Sequence, residues 1–242
     1  MSAIRTEGLT KRYGDVTAVC DLSLTVEEGE LLSLLGVNGA GKTTTVGMLT
    51  CLITPTEGDA LLLGKSICRE PQEVKALIAV SPQETAIAPG LSVRENLALM
   101  CGVQGITGER RAERIRALSA QLGLDSVLSR RAGRLSGGWK RRLSIAMALV
   151  GEPRILFLDE PTLGLDVLAR SDLWEIIRAL KGKVTIVLTT HYMEEAEALS
   201  DRVAILCEGR LLALDTVDGI KAAVDAHDLE EAFIRTVKGV AR

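Results

Sequence analysis

The sequence predicts an α/β fold on a mixed, mainly parallel sheet, with an N-terminal antiparallel β part and an all-helical part in the middle. Three observations predict it. Residues 30–35 are a short apolar run that passes through a glycine-rich turn into residues 44–52, which contain no proline and only Gly47 as a breaker; this reads as strand, loop, helix. Residues 91–150 hold helical patterns and no strand pattern. From residue 155 onward, apolar runs of strand length alternate with helical segments, which implies a parallel sheet with helices on both faces.

The 242 residues suggest one large domain or two small ones. A chain of this size buries roughly 70% of its unfolded surface, so it needs no metal or disulfide staple. The whole chain, 1–242, reads as a single unit. Residues 1–90 and 151–216 form a core with the antiparallel part, 91–150 a helical subdomain and 217–242 a short tail. There is no internal repeat and no low-complexity segment.

Taken in order, residues 4–9 and 22–26 alternate apolar and polar and read as antiparallel strands, with Tyr13, Gly14 and Asp15 as a turn between them. Glu57, Gly58 and Asp59 read as a turn, 60–63 as a strand and 77–80 as another. Residues 93–100 and 109–122 read as helices; Ala112, Ile115, Leu118 and Leu122 fall on one face of the second, opposite most of its arginines. Gly137 and Gly138 precede a third helix over 139–149. Residues 155–158 and 185–189 read as strands, and 168–181 and 193–199 as helices, the first turning Leu173, Ile176, Ile177 and Leu180 inward. Residues 203–207 and 210–214 read as a hairpin across Glu208 and Gly209.

Lys plus Arg is 29 and Asp plus Glu is 32, a net charge of −3 that gives no support to a nucleic-acid-binding surface. The cysteines, Cys20, Cys51, Cys68, Cys101 and Cys207, are odd in number and scattered, which suggests reduced, packed thiols rather than a metal or redox set. No apolar run approaches the roughly 20 residues that cross a bilayer, and the first residues lack a signal-peptide core. A membrane role is therefore expected to come through a partner.

The glycine-rich turn is Gly36-Val37-Asn38-Gly39-Ala40-Gly41-Lys42-Thr43-Thr44, which fits G-x-x-x-x-G-K-[ST]. Glycines let the backbone approach an anion closely, and successive N–H groups make an anion nest. Lys42 adds a point charge for the outer phosphates, Thr43 offers a hydroxyl to Mg²⁺, and a helix beginning at Lys42 adds its positive end. With strand before and helix after, this is a P-loop NTPase core that binds a nucleoside triphosphate with Mg²⁺. Downstream, four apolar residues end in Asp159 and Glu160 before Pro161. A buried parallel strand delivers such residues to the ligand crevice, where Asp159 would hold the metal and Glu160 would act as general base.

Gly36 to Thr44, then Leu135-Ser136-Gly137-Gly138, then Leu158-Asp159-Glu160-Pro161-Thr162, in that order, resemble the nucleotide-binding domain of an ABC transporter over about residues 4–214. The Leu-Ser-Gly-Gly stretch is the more specific signal, since other P-loop families lack it. The resemblance implies ATP as the nucleotide, with Tyr13 stacking on adenine. It implies that Gln83 contacts Mg²⁺ or the attacking water and links the core to the helical part and a membrane partner. It also implies that Ser136, Gly137 and Gly138 present a hydroxyl and N–H groups to the γ-phosphate held by an opposite protomer. Gly164, Leu165 and Asp166 would join the two sites, and His191 would reach the γ-phosphate. The partners implied are a second ATP-binding subunit in a head-to-tail homodimer and separate transmembrane permease subunits at the cytoplasmic face of the cell membrane, with no nucleic acid. His227 has no such context.

Two departures stand out. Val37 replaces a common proline at a position that needs only backbone. Trp139 replaces the usual glutamine or methionine after Gly138, either as a packed aromatic or beside the opposite nucleotide or partner chain. Trp139-Lys140-Arg141-Arg142-Leu143, His191-Tyr192-Met193-Glu194-Glu195-Ala196-Glu197 and the ending Asp228-Leu229-Glu230-Glu231-Ala232-Phe233 resemble the antibiotic- and multidrug-resistance exporter branch. The alternatives are a non-transport ABC ATPase, or a non-catalytic nucleotide-binding regulatory subunit in which Trp139 has spoiled the composite site.

Overall fold

A computed structural model describes residues 2–240 of the chain. Its strands are β1 (Ser2–Tyr13), β2 (Val16–Leu22), β3 (Thr25–Glu27), β4 (Leu31–Leu35), β5 (Glu57–Leu62), β6 (Lys65–Ser66), β7 (Ile78–Ser81), β8 (Ile155–Asp159), β9 (Thr185–Thr190), β10 (Arg202–Cys207) and β11 (Arg210–Asp215). The helices are α1 (Lys42–Leu49), α2 (Pro71–Leu77), α3 (Val93–Val103), α4 (Gly108–Gln121), α5 (Gly137–Leu149), α6 (Val167–Leu180), α7 (Met193–Leu199), α8 (Val217–Ala223) and α9 (Leu229–Val240).

Two sheets form. One runs β2-β1-β5-β6 with β3 also on β1, and its pairings are antiparallel. The other runs β11-β10-β4-β9-β8-β7, parallel throughout except for the β10–β11 hairpin. The central strands β4, β8 and β9 are buried along their whole length, which is why they read as continuous apolar runs rather than as alternation.

The side-chain period of two decides what each face of the parallel sheet meets. Ile155 and Phe157 of β8 point into a core shared with α1 and the antiparallel sheet. Leu156 and Leu158 point into a core shared with α3, α4, α5 and α6. Helices lie on both faces as expected, and a second sheet joins them on one: α3, α4, α5 and α6 cover one face, and α1, α2 and the antiparallel sheet the other. The helices between residues 91 and 150 share a continuous apolar cluster with their face of the sheet. A third cluster joins β10, α7, α8 and α9, so the described part of the tail is two packed helices.

Several local expectations are corrected. Glu57, Gly58 and Asp59 belong to β5, not to a turn. Gly58 has φ 78° and lies so close to β1 that a Cβ would sit 2.4 Å from the Gly8 carbonyl oxygen; the β1–β5 register shifts there. The turn-like composition marks a bulge within a strand. β2 went unread because it buries only Val19 and Leu22 firmly, too few for a visible alternation. β3 begins at Thr25 rather than Leu22. The helix α2 was missed, although Pro71 opens it at the position where proline is tolerated; Leu77 ends it rather than starting β7. On α4, Ile115, Leu118 and the following Leu122 are buried but Ala112 is exposed.

Candidate functional site

β4 is followed at once by Gly36, where a Cβ would lie 2.5 Å from the Leu206 carbonyl oxygen of β10, so the chain must leave the sheet on a glycine. Gly39 and Gly41 then take φ 84° and 98°, in the region that side chains disfavour. Gly41 caps α1 with no side-chain hydrogen bond, leaving the first N–H groups of the helix facing the loop. Residues 38–44 border an open cavity of about 430 Å³ whose other walls are Ala18, Gln83 and Glu160. Anions are favoured at this helix end by its dipole and its free donors.

Lys42 is 5% exposed. Its Nζ donates to the carbonyls of Gly36 at 2.7 Å and Val37 at 3.3 Å and pairs with Glu160 Oε1 at 3.3 Å. The second carboxylate oxygen, Oε2, is 2.7 Å from His191 Nδ1. Because an ionised carboxylate only accepts, this contact assigns the Nδ1 proton to the imidazole. Glu160 sits at φ 45°, a left-handed conformation that a glutamate adopts at a cost of order 1–3 kcal/mol. Its N–H donates to both the carbonyl and the hydroxyl of Thr189, at 3.1 and 3.0 Å, which holds that turn. The Thr189 hydroxyl in turn donates to Asp159 Oδ1. One threonine of β9 therefore sets both acidic residues of β8.

Among the predicted site residues, Asn38, Gly39, Ala40, Gly41, Lys42, Thr43, Thr44, Gln83 and Glu160 meet at the cavity. Asp159 and His191 stand directly behind Glu160 through the contacts above. Tyr13, at the end of β1, is 48% exposed, with Lys11 Nζ 5.0 Å above its ring, and does not border the cavity. Ser136, Gly137 and Gly138 form the N-terminal turn of α5, away from the cavity. Ser136 and Gly137 are exposed, and the Ser136 side chain makes no capping bond. Positions where a Cβ would stand on Gly137 and Gly138 lie 3.4 Å from Leu165 and 3.1 Å from Ala169, so this turn rests on the segment carrying Gly164, Leu165 and Asp166. Asp166 caps α6 by accepting from Ala169 N–H. Trp139 packs against the helical core with the Arg142 guanidinium 4.9 Å from its ring, and Arg142 pairs with Asp172 of α6.

The oxygen set of Thr43, Gln83 and Asp159 is one hydroxyl, one amide and one carboxylate. These hard donors suit Mg²⁺, which takes few protein ligands and keeps water or phosphate oxygens. Among the described residues no group of three or more His, Cys, Asp or Glu is arranged to hold a metal ion by itself.

Three residues escaped the sequence reading. Thr189 lies in an apolar strand with nothing to mark it. Arg141 lies in the basic run Lys140-Arg141-Arg142 with no local pattern to set it apart, yet it is buried and donates to the carbonyls of Pro82 and Gln83. Glu195 is fully buried on α7, where Trp174 Nε1 donates to it at 3.2 Å. Burial pushes the Glu195 carboxyl above the usual glutamate range, against the pull of the neighbouring Thr190 and Thr162 hydroxyls and the Trp174 hydrogen bond, while its Oε2 has no hydrogen-bond partner.

A family model described as ABC transporter matches residues 19–163. The daunorubicin resistance ATP-binding protein DrrA2 of Streptomyces coeruleorubidus is 40% identical over 99% of this chain and 77% of its own length. The daunorubicin/doxorubicin resistance ATP-binding protein DrrA of Streptomyces peucetius is 41% identical over 94% of this chain and 69% of its own. A solved ATP-binding subunit of an ABC transporter superposes with a TM-score of 0.86 at 29% identity, covering 97% of this chain and 99% of that one.

Proposed function

The chain belongs to the ABC transporter family, and from that premise we propose how its residues use ATP and toward what end. It is an ATP-binding, ATP-hydrolysing subunit of an ABC transporter. The phosphates of ATP lie against the N–H groups of residues 38–44, with Lys42 turning from its loop carbonyls to the β- and γ-phosphates and Tyr13 stacking on adenine. Thr43, Gln83 and Asp159 would hold Mg²⁺, which would spread the charge of the phosphate oxygens. Glu160 takes a proton from the attacking water. The water oxygen bonds to the γ-phosphorus, the bond to the bridging oxygen breaks, and ADP and phosphate leave. His191, fixed through Nδ1, would face the γ-phosphate with Nε2, which donates there only when the ring carries both protons. Most of the rate enhancement is positioning and charge stabilisation.

Ser136, Gly137 and Gly138 close over ATP held by a second copy, arranged head to tail as a homodimer. The exposed turn of α5, outside the chain's own cavity, supports this. No helix among the described residues is long and apolar enough to cross a membrane. Separate permease subunits carry the substrate, and the ATPase docks on them at the cytoplasmic face of the membrane. The relatives named for daunorubicin resistance support export as the direction.

The observation that carries the mechanism is the Glu160 carboxylate at the cavity wall, held between Lys42 and His191. Glu160→Gln should bind ATP and dimerise with it while kcat falls by about 10²–10⁴. Wild-type turnover in that variant would remove Glu160 as the base.

A further inference from the structure

Of the three successive cations Lys140, Arg141 and Arg142 at the start of α5, Arg142 pairs with Asp172, whereas Arg141 turns inward and is 5% exposed. Its Nη1 donates to the Pro82 carbonyl at 2.7 Å and its Nη2 to the Gln83 carbonyl at 2.8 Å. It forms no ion pair among the described residues; Asp159 and Glu195 act on it only at longer range. Burial lowers its pKa from the ordinary arginine value, the direction expected when a cation leaves water. A buried cation held by carbonyls alone is costly, and a lysine cannot make the same two-pronged contact. One turn along the same helix, Ser144 shares a 2.9 Å hydrogen bond with Ser81 at the end of β7, and both are buried. The segment 81–83 is thus gripped by one face of α5. Its Gln83 borders the nucleotide cavity, and the same helix begins with the exposed turn of Ser136, Gly137 and Gly138.

We propose that Arg141 is a positioning residue that locks the Gln83 loop to α5, so that occupation of the cavity by ATP is carried to the Ser136–Gly138 turn. The link lies within one chain. Its use in timing two sites rests on the dimeric reading above. Hydrogen bonds from a charged fork are the strong and directional kind, which suits a rigid coupling rather than a hinge.

Trp139, two residues from Arg141, is a built-in reporter of this turn. In a Trp174→Phe background, at concentrations where light scattering shows a monomer, MgATP should shift Trp139 emission. Arg141→Met should bind a fluorescent ATP analogue within about threefold of the parent affinity, lose the emission shift, and show a kcat lowered about tenfold or more with KM within about threefold. Arg141→Lys should recover part of both signals, and Ser144→Ala, which leaves the guanidinium in place, should weaken the shift without abolishing it. If Arg141→Met fails to fold, the Lys and Ser144 variants carry the same comparison. An unchanged shift in Arg141→Met or, failing that, in both other variants would overturn the proposal, as would a parent that binds MgATP with no shift. A monomer that shows the shift but never dimerises with ATP would overturn the two-chain reading and leave the role of Arg141 standing.

Discussion

The N-termini of α1 and α5 both carry glycine turns, and they differ in how far the chain surrounds them. At α1 the turn is partly enclosed: Val37, Asn38, Gly39 and Thr43 are exposed, but Lys42 is buried, Gln83 and Glu160 add walls to an open cavity, and His191 and Thr189 brace the acidic pair. At α5 the turn of Ser136 and Gly137 is exposed and its serine bonds nothing as a cap. Three other helices are capped by their own side chains: Ser92 and Glu95 make a reciprocal capping box on α3, and Asp166 and Thr216 cap α6 and α8, whereas α2, α4 and α7 lack a side-chain cap as α5 does. The same chemistry of free N–H groups therefore borders a cavity with walls from its own chain in one place and lies outside any such cavity in the other. On the proposed function, the turn of α5 is the lid of a second molecule's pocket.

The largest expected effect breaks the α1 end. Lys42→Ala should abolish hydrolysis and also ATP-driven dimerisation, because a lid has nothing to close on. Size-exclusion chromatography with and without ATP checks this, and wild-type dimerisation in that variant would separate the two turns as unrelated sites. Gly41→Ala should be next. It forces a Cβ to 2.6 Å from the Ala18 carbonyl oxygen at φ 98°, so a loss of about 1–3 kcal/mol in denaturant stability and of nucleotide binding is expected.

The exposed end should behave oppositely. Ser136→Ala removes a hydroxyl that holds nothing in its own chain, so melting temperature and monomer affinity for ATP should be unchanged. Steady-state hydrolysis should fall by about tenfold, the scale of one lost donor on a charged oxygen. A destabilised Ser136→Ala chain would show that the turn is structural and end the contrast.

The smallest effect concerns Glu195, behind the α1 site. Burial raises its folded pKa above the unfolded value, so between those two values the unfolded chain has already released a proton that the folded chain keeps. Stability then falls as pH rises from the ordinary glutamate value of about 4.3 toward the raised one. Glu195→Gln does not titrate. Its urea midpoint, compared with that of the wild type, should gain with rising pH across this window and level off above it; a difference independent of pH would show that Glu195 does not titrate there.

Much of the α1 end could be read from the sequence because each residue there answers to a local rule. Gly36, Gly39, Gly41 and Lys42 obey a spacing, and Asp159 and Glu160 end an apolar strand. Both patterns survive translation into structure since β4 and β8 are buried on both faces. The hidden parts lacked such rules. A bulge at Gly58 looks like a turn, and β2 has too few buried positions to show a period. Arg141 stands between Lys140 and Arg142 with no local pattern to show that it turns inward. Trp139, with two readings open, packs on the helical core beneath Arg142 in the folded chain.

What the sequence alone determined was the identity and order of the pieces: the anion-binding loop, the acidic strand end, the Ser-Gly-Gly turn and the alternation that makes a parallel sheet. Those depend on backbone freedom, periodicity and local charge, which neighbours along the chain supply. Only the tertiary structure decided that Glu160 is shared between Lys42 and His191, that Thr189 sets the carboxylates, and that Arg141 faces the Gln83 loop. Those contacts join residues distant in sequence, and their direction depends on strand register and on which face of a helix is buried.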